Sequence, residues 1–136
     1  MLFRSPREDV LRENVLKPDE IMTEVFIPAP APGTKQAWSK LKNRQVYDFA
    51  VVAVAAAFTT DASGNWTDGR VVLGGVAPVP YRATGIEAQL KGKNVKSSIK
   101  GAAAVVRTVA RPMSMNAYKV DIAQNLVERT ILGALG

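Results

Sequence analysis

The chain has 136 residues, enough for one domain of ordinary size, with 47% apolar residues, 22% charged residues and a formal charge of +6. It contains no histidine and no cysteine. Disulfides, thiol nucleophiles, Ser-His-Asp relays and His/Cys zinc sites are therefore excluded, and most self-contained catalytic machinery goes with them.

The longest strictly apolar run, residues 49–58, is ten residues long. That is about half of what a membrane-spanning helix requires. Arg4, Arg7, Glu8 and Asp9 leave no apolar stretch for a signal peptide at the start. A cytoplasmic protein with no membrane partner is the expectation.

In chain order, residues 1–19 are charged and interrupted by Pro6 and Pro18, and read as an N-terminal arm. Residues 20–136 read as a single α+β domain. Over residues 20–27 the apolar pattern alternates, with Ile21, Val25 and Ile27 on one face and Met22, Glu24 and Phe26 on the other, which predicts a strand. Pro28, Pro30, Pro32 and Gly33 stop it. A second extended run, residues 36–42, places Trp38, Lys40 and Lys42 on one face. Residues 49–59 are rich in Val and Ala and predict a strand buried on both sides. The turn cluster at 61–65 and a return strand at 70–76 then complete a hairpin. Gly74 and Gly75 near its end suggest a bulge or a close backbone approach.

After Pro80 the period changes from two to 3.6. A short helix is predicted over 84–90. A second starts near Val95 and carries Ile99, Ala102, Ala103, Val106 and Val109 on one face. A third follows Asn116 as N-cap, with Ile122, Ala123, Leu126, Val127, Ile131, Ala134 and Leu135 on one stripe. Strands first and helices after predict an antiparallel sheet of three to four strands, covered on one face by about three helices.

Several stretches then occur together in a recognisable order. They are residues 14–28, ending Glu20-Ile21-Met22-Thr23-Glu24-Val25-Phe26-Ile27-Pro28; Lys40-Leu41 with Arg44 and Asp48-Phe49-Ala50; and residues 69–80 with Leu73-Gly74-Gly75-Val76-Ala77-Pro78, followed by Arg82. Glu87, Leu90 and Gly92 come next, and Asn116-Ala117-Tyr118-Lys119-Val120 opens the last helix. At these spacings the set resembles the C-terminal domain of the FAD-binding (medium) subunit of molybdenum hydroxylases, the group of xanthine dehydrogenase and the aerobic carbon monoxide dehydrogenase flavoprotein. The resemblance implies a domain that completes an FAD site and contacts molybdenum-binding and iron–sulfur subunits. In that family an N-terminal domain holds most of the flavin, with Gly-rich loops around the pyrophosphate. No such FAD-binding domain is expected within residues 1–136, which contain no G-x-G-x-x-G. Weak or absent FAD binding by this chain alone follows, with the N-terminal FAD-binding domain as its partner.

The resemblance implies two cofactor-binding residues and no catalytic or metal-binding ones. Lys40 matches the family lysine that reaches the isoalloxazine ring, where an ammonium would stabilise charge on the reduced flavin. Without the motif it is a surface lysine beside Lys35 and Lys42. Met22 matches an aliphatic position that contacts the flavin, or else is gap-filling in a core. Trp38 shares Lys40's face and reads as sheet packing more readily than as a stacking residue. Arg44 and Asp48 flank a short loop and suit a local ion pair, in a loop that the family places near the flavin.

The alternative functions are an interaction module without flavin binding and a basic nucleic-acid binder. The second rests on Arg82, Lys91, Lys93, Lys96, Lys100, Arg107 and Arg111, opposed in that stretch by Glu87 alone. With only Tyr81 at its margin for stacking, a solvated helical face or docking patch is the simpler reading. An apolar inter-domain face, and self-association through it, is a further expectation.

Overall fold

The computed structural model describes residues 9, 11, 12 and 14–136, so the predicted arm lies in part outside the described residues. The elements in order are β1 (Lys35–Leu41), β2 (Val52–Thr60), β3 (Trp66–Gly74), β4 (Tyr81–Arg82), α1 (Thr84–Leu90), α2 (Val95–Ala103), α3 (Val105–Val109) and α4 (Tyr118–Gly133). The four strands form one antiparallel sheet in sequence order. All four helices follow the strands, as the change of period predicted.

The core lies between one sheet face and the helices. Val52, Val54, Ala56 and Phe58 of β2 alternate inward and are buried, together with Trp66, Val71 and Leu73 of β3. Ile86 and Leu90 of α1, Val95 and Ile99 of α2, and Ala123, Val127 and Ile131 of α4 close over them. Helix α4 packs across β2 and β1, and α1 against β3. Phe58 and Trp66 stack, with centroids 4.6 Å apart and planes 9° from parallel. Gly69 is required beside them, because a Cβ there would stand 2.4 Å from the Phe58 Cβ and 2.5 Å from the Trp66 ring.

Polar contacts fix the ends. In the β2–β3 turn, Asp61 accepts bonds from the backbone N–H groups of Ser63 and Asn65 and from the Asn65 side chain. Those bonds, the Asn65 N–H first, hold its carboxyl below the usual 3.8. Asn94 caps α2 through Ser97 N–H and donates to the Ser63 carbonyl, tying helix to turn. Glu87 accepts from the Val71 N–H and from Arg82, fastening α1 to β3. The same carboxylate raises the already high pKa of Arg82.

The structure corrects four expectations. Residues 20–27 form no strand; they run as irregular chain with their large apolar side chains in solvent. The strand placed at 49–59 starts at Val52 and is buried on one side, because Ala53, Ala55 and Ala57 face an open surface. The single helix expected from Val95 breaks at Ala104, and Val105 then sits against the bare backbone of Gly85. Asn116 does not cap α4: its side-chain oxygen accepts from the Met113 N–H, and Ala117 precedes the helix. Among the described residues, no helix is long and apolar enough to cross a membrane.

Candidate functional site

The sheet leaves its second face uncovered by helices, and the register orders that face into rows. Directly paired residues share a face, so Lys40, Ala53 and Gly74 form one row across β1, β2 and β3. Trp38, Ala55 and Val72 form the next, and Gln36, Ala57 and Arg70 the third. The three alanines on the central strand make a floor. A shallow groove of about 430 Å³ runs along it, bordered by Gln36 and Trp38 on one side and Arg70 and Val72 on the other. Trp38 is 66% exposed, so it does not pack within the sheet as the commoner expectation had it.

Lys40 stands at the end of this floor and is half-buried. Its row is the smallest, since a Cβ on Gly74 would only just touch the Ala53 methyl at 3.5 Å. Among the described residues Lys40 forms no ion pair. Its partners in the row, an alanine and a glycine, are the smallest side chains on this face.

Three segments that are distant in sequence meet at this end of the sheet. Residues 42–51 join β1 to β2, and residues 75–80 join β3 to β4. Gly75, at φ +73°, lies so close to the first loop that a Cβ would be 3.0 Å from the Ala50 and Val51 carbonyl oxygens. The close backbone approach expected at the Gly74-Gly75 pair is therefore found, at Gly75. Lys119 of α4 donates to the Gly75 carbonyl at 2.6 Å, adding the third segment. The loop 42–51 is braced internally: Lys42 donates to the Val46 carbonyl at 2.9 Å, and Arg44 pairs with Asp48 at 3.0 Å as expected. The Asp48 carboxylate also accepts from the Phe49 N–H.

Bracing the loop turns Val46, Tyr47 and Phe49 outward, and Tyr47 and Phe49 are almost wholly exposed. These apolar groups and the Lys119 clamp escaped the sequence reading. Phe49 looked like the first residue of a core strand, and only the position of the β1–β2 turn puts it in solvent. A second hollow of about 360 Å³ lies on the helix side of this end, lined by Val76, Tyr81, Val109, Arg111, Asn116 and Lys119 among others. Met22 belongs to the irregular segment before β1 and is more than half exposed. The structure therefore places Lys40 at the loop cluster and leaves Met22 outside any strand or helix.

Of the basic residues considered for nucleic acid, Arg82 is engaged by Glu87 and Arg107 by Asp121 and Gln124. Lys91, Lys93, Lys96 and Lys100 are exposed. No group of acidic residues arranged to hold a metal ion exists among the described residues.

Residues 36–134 match the model of the CO dehydrogenase flavoprotein C-terminal domain. The chain belongs to that family. The chain is 35% identical over 125 residues to the FAD-binding subunit of aldehyde oxidoreductase from Escherichia coli K12, covering 90% of this chain and 35% of that subunit. It is 32% identical over 126 residues to the carbon monoxide dehydrogenase medium chain of Hydrogenophaga pseudoflava, covering 88% of this chain and 43% of the relative. Among solved structures, carbon monoxide dehydrogenase from H. pseudoflava superposes with a TM-score of 0.80 at 31% identity, over 90% of this chain and 44% of that one. The enzyme of Oligotropha carboxidovorans gives 0.70 at 26% identity, over 79% and 39%. The chain thus spans less than half the length of the relatives it matches. The likeness also runs past the domain's own start: 90% of 136 residues is about 122, and only 101 lie from residue 36 onward.

Proposed function

We propose that this chain completes the flavin site of an FAD-binding subunit in a molybdenum-hydroxylase-type oxidoreductase. The observation that carries the reading is Lys40: a half-buried lysine without an ion-pair partner among the described residues, in one row with Ala53 and Gly74 beside two converging loops and the start of α4. That is a fitting place for a flat, electron-accepting ring. FAD, when bound, supplies electron transfer, taking electrons from molybdenum and iron–sulfur partner subunits and passing them on.

The chain's own residues bind and orient. Lys40 offers a charge-assisted hydrogen bond and a positive charge that favours the reduced, anionic ring. Met22 adds apolar contact once its segment is fixed. The braced loop 42–51 and the Gly75–Lys119 contact hold the surroundings of Lys40 in one arrangement. None of these residues performs bond chemistry. The proposed setting is the cytoplasm.

The division of labour makes a quantitative expectation. A well-placed charge-assisted bond contributes about 1.5–3 kcal/mol, whereas micromolar affinity needs about −8 kcal/mol after association costs of roughly 4–15 kcal/mol. Residues 1–136 carry no Gly-rich pyrophosphate cradle to make up the rest. Titration of the isolated chain with FAD should show binding weaker than about 10 μM. A chain that purifies yellow, or saturates below that concentration, would overturn the half-site reading. When the chain replaces the matched part of the E. coli subunit in a chimera, FAD should be retained, and Lys40→Met should lower the flavin's reduction potential. A chimera that folds but never holds FAD would favour an interaction module without flavin.

A further inference from the structure

The chain between α3 and α4 leaves a gap in the helical layer. Ala110 turns to extended backbone at the end of α3, and Pro112 keeps the residues before it from continuing the helix. Helices α1 and α4 pack on the sheet, whereas α3 packs chiefly on α4 and fully buries none of its residues. Val109 at its end is 49% exposed, an apolar side chain with no strand to cover. The helix-side hollow of about 360 Å³ is the space left there. Its lining reaches two buried core residues, Leu73 of β3 and Ala123 of α4, and Val76, Val106 and Val109 form its walls.

The polar groups around this apolar hollow are donors. Arg111 is fixed by its Nη1, which donates to the Thr108 and Ala110 carbonyls at 3.1 and 2.8 Å. The Nε–Nη2 edge of the same guanidinium, the side with the fork geometry of a carboxylate, has no partner among the described residues. Lys119 spends one of its three N–H groups on the Gly75 carbonyl. The Asn116 side-chain oxygen is taken by the Met113 N–H, which leaves its amide NH₂ as a donor. Two positive side chains thus line the hollow, and no aspartate or glutamate does.

We infer that this hollow binds a small organic anion, a carboxylate carried on an apolar body of one or two rings. Charge complementarity selects the anion, and the open edge of Arg111 selects a carboxylate. The valine walls select the body, because an inorganic ion would lose its hydration against them without recompense. The volume lies at the lower end of the roughly 300–1,000 Å³ of small-molecule sites and is too small for a dinucleotide. The site is separate from the surroundings of Lys40: Leu73 pairs with Val54 on the core face, whereas Lys40 and Ala53 belong to the open face.

An NMR titration of the chain with 2-naphthoate tests this. Backbone amides within residues 76–81, 109–111 and 116–120 should shift and saturate with a Kd below about 1 mM. The uncharged 2-naphthamide, of nearly the same shape, should bind about tenfold or more weakly. Arg111→Gln should weaken naphthoate by about tenfold and leave the naphthamide affinity as it was, which also shows that the hollow is intact. Val109→Glu, which sets a carboxylate on the wall, should abolish naphthoate binding. The absence of saturable shifts up to about 10 mM would overturn the inference, and so would equal affinity for the amide. Shifts centred on Lys91, Lys93, Lys96 and Lys100 that vanish at about 0.5 M salt would overturn it too, as attraction to the net charge alone. So would a dimer in sedimentation that protects the hollow without ligand, by making a second copy the occupant.

Discussion

Residues 20–27 and residues 52–58 are both apolar, strand-patterned runs, and they meet opposite ends. The second lies between β1 and β3, pairs on both edges, and buries Val52, Val54, Ala56 and Phe58 under helices. The first pairs with nothing among the described residues and exposes five large apolar side chains. Intrinsic preference does not separate them, since the unpaired run is the richer in β-branched and aromatic residues. Neighbours separate them. A strand is stable through the edges and faces offered to it, and leaving a large apolar side chain in water forgoes about 1.5–3 kcal/mol.

The largest expected effect puts that contrast in numbers. Trp66→Ala removes the stacking partner of Phe58 from the hairpin core and should cost about 3–5 kcal/mol in urea unfolding. Val25→Glu with Ile27→Glu alters as much apolar surface and should shift stability by less than about 0.5 kcal/mol. A comparable loss from the second pair would mean that the segment packs on the domain and that the contrast is false.

Gly75→Ala sharpens the comparison at the loop end. It places a side chain at φ +73° and presses on the Ala50 and Val51 carbonyls, so about 1–3 kcal/mol should be lost. The same melts, with hydrogen exchange of residues 42–51, will show whether the two loops move as one unit.

The smallest effect concerns acid. Asp61 in the hairpin turn has its carboxyl held below 3.8 by the Asn65 and Ser63 donors. A folded pKa below the unfolded one stabilises at pH values above the unfolded pKa, and this contribution disappears as pH falls through the folded value. Asp61→Asn should therefore flatten the acid limb of the stability curve measured below about pH 4, with no change in the exchange of residues 21–27. An unchanged acid limb would show that the turn bonds do not distinguish folded from unfolded chain.

The sequence by itself determined the class and order of the fold. Period-two runs before Pro80 and period-3.6 runs after it separate sheet from helices, because burying one face of each element allows few arrangements. It also marked Lys40, by motif and not by chemistry, since a lysine on a strand is ordinary until its surroundings are known. Tertiary structure decided the rest. Whether Phe49 belongs to a core or to a solvent-facing loop depends on where β1 turns into β2. Whether Ala53, Ala55 and Ala57 are buried depends on helices choosing the other face. Lys119 reaches Gly75 across 44 positions, a contact that no local pattern encodes. The strand written into residues 20–27 stays unformed because alternation specifies which face a strand would bury, and only a neighbouring edge supplies the hydrogen bonds that make it one.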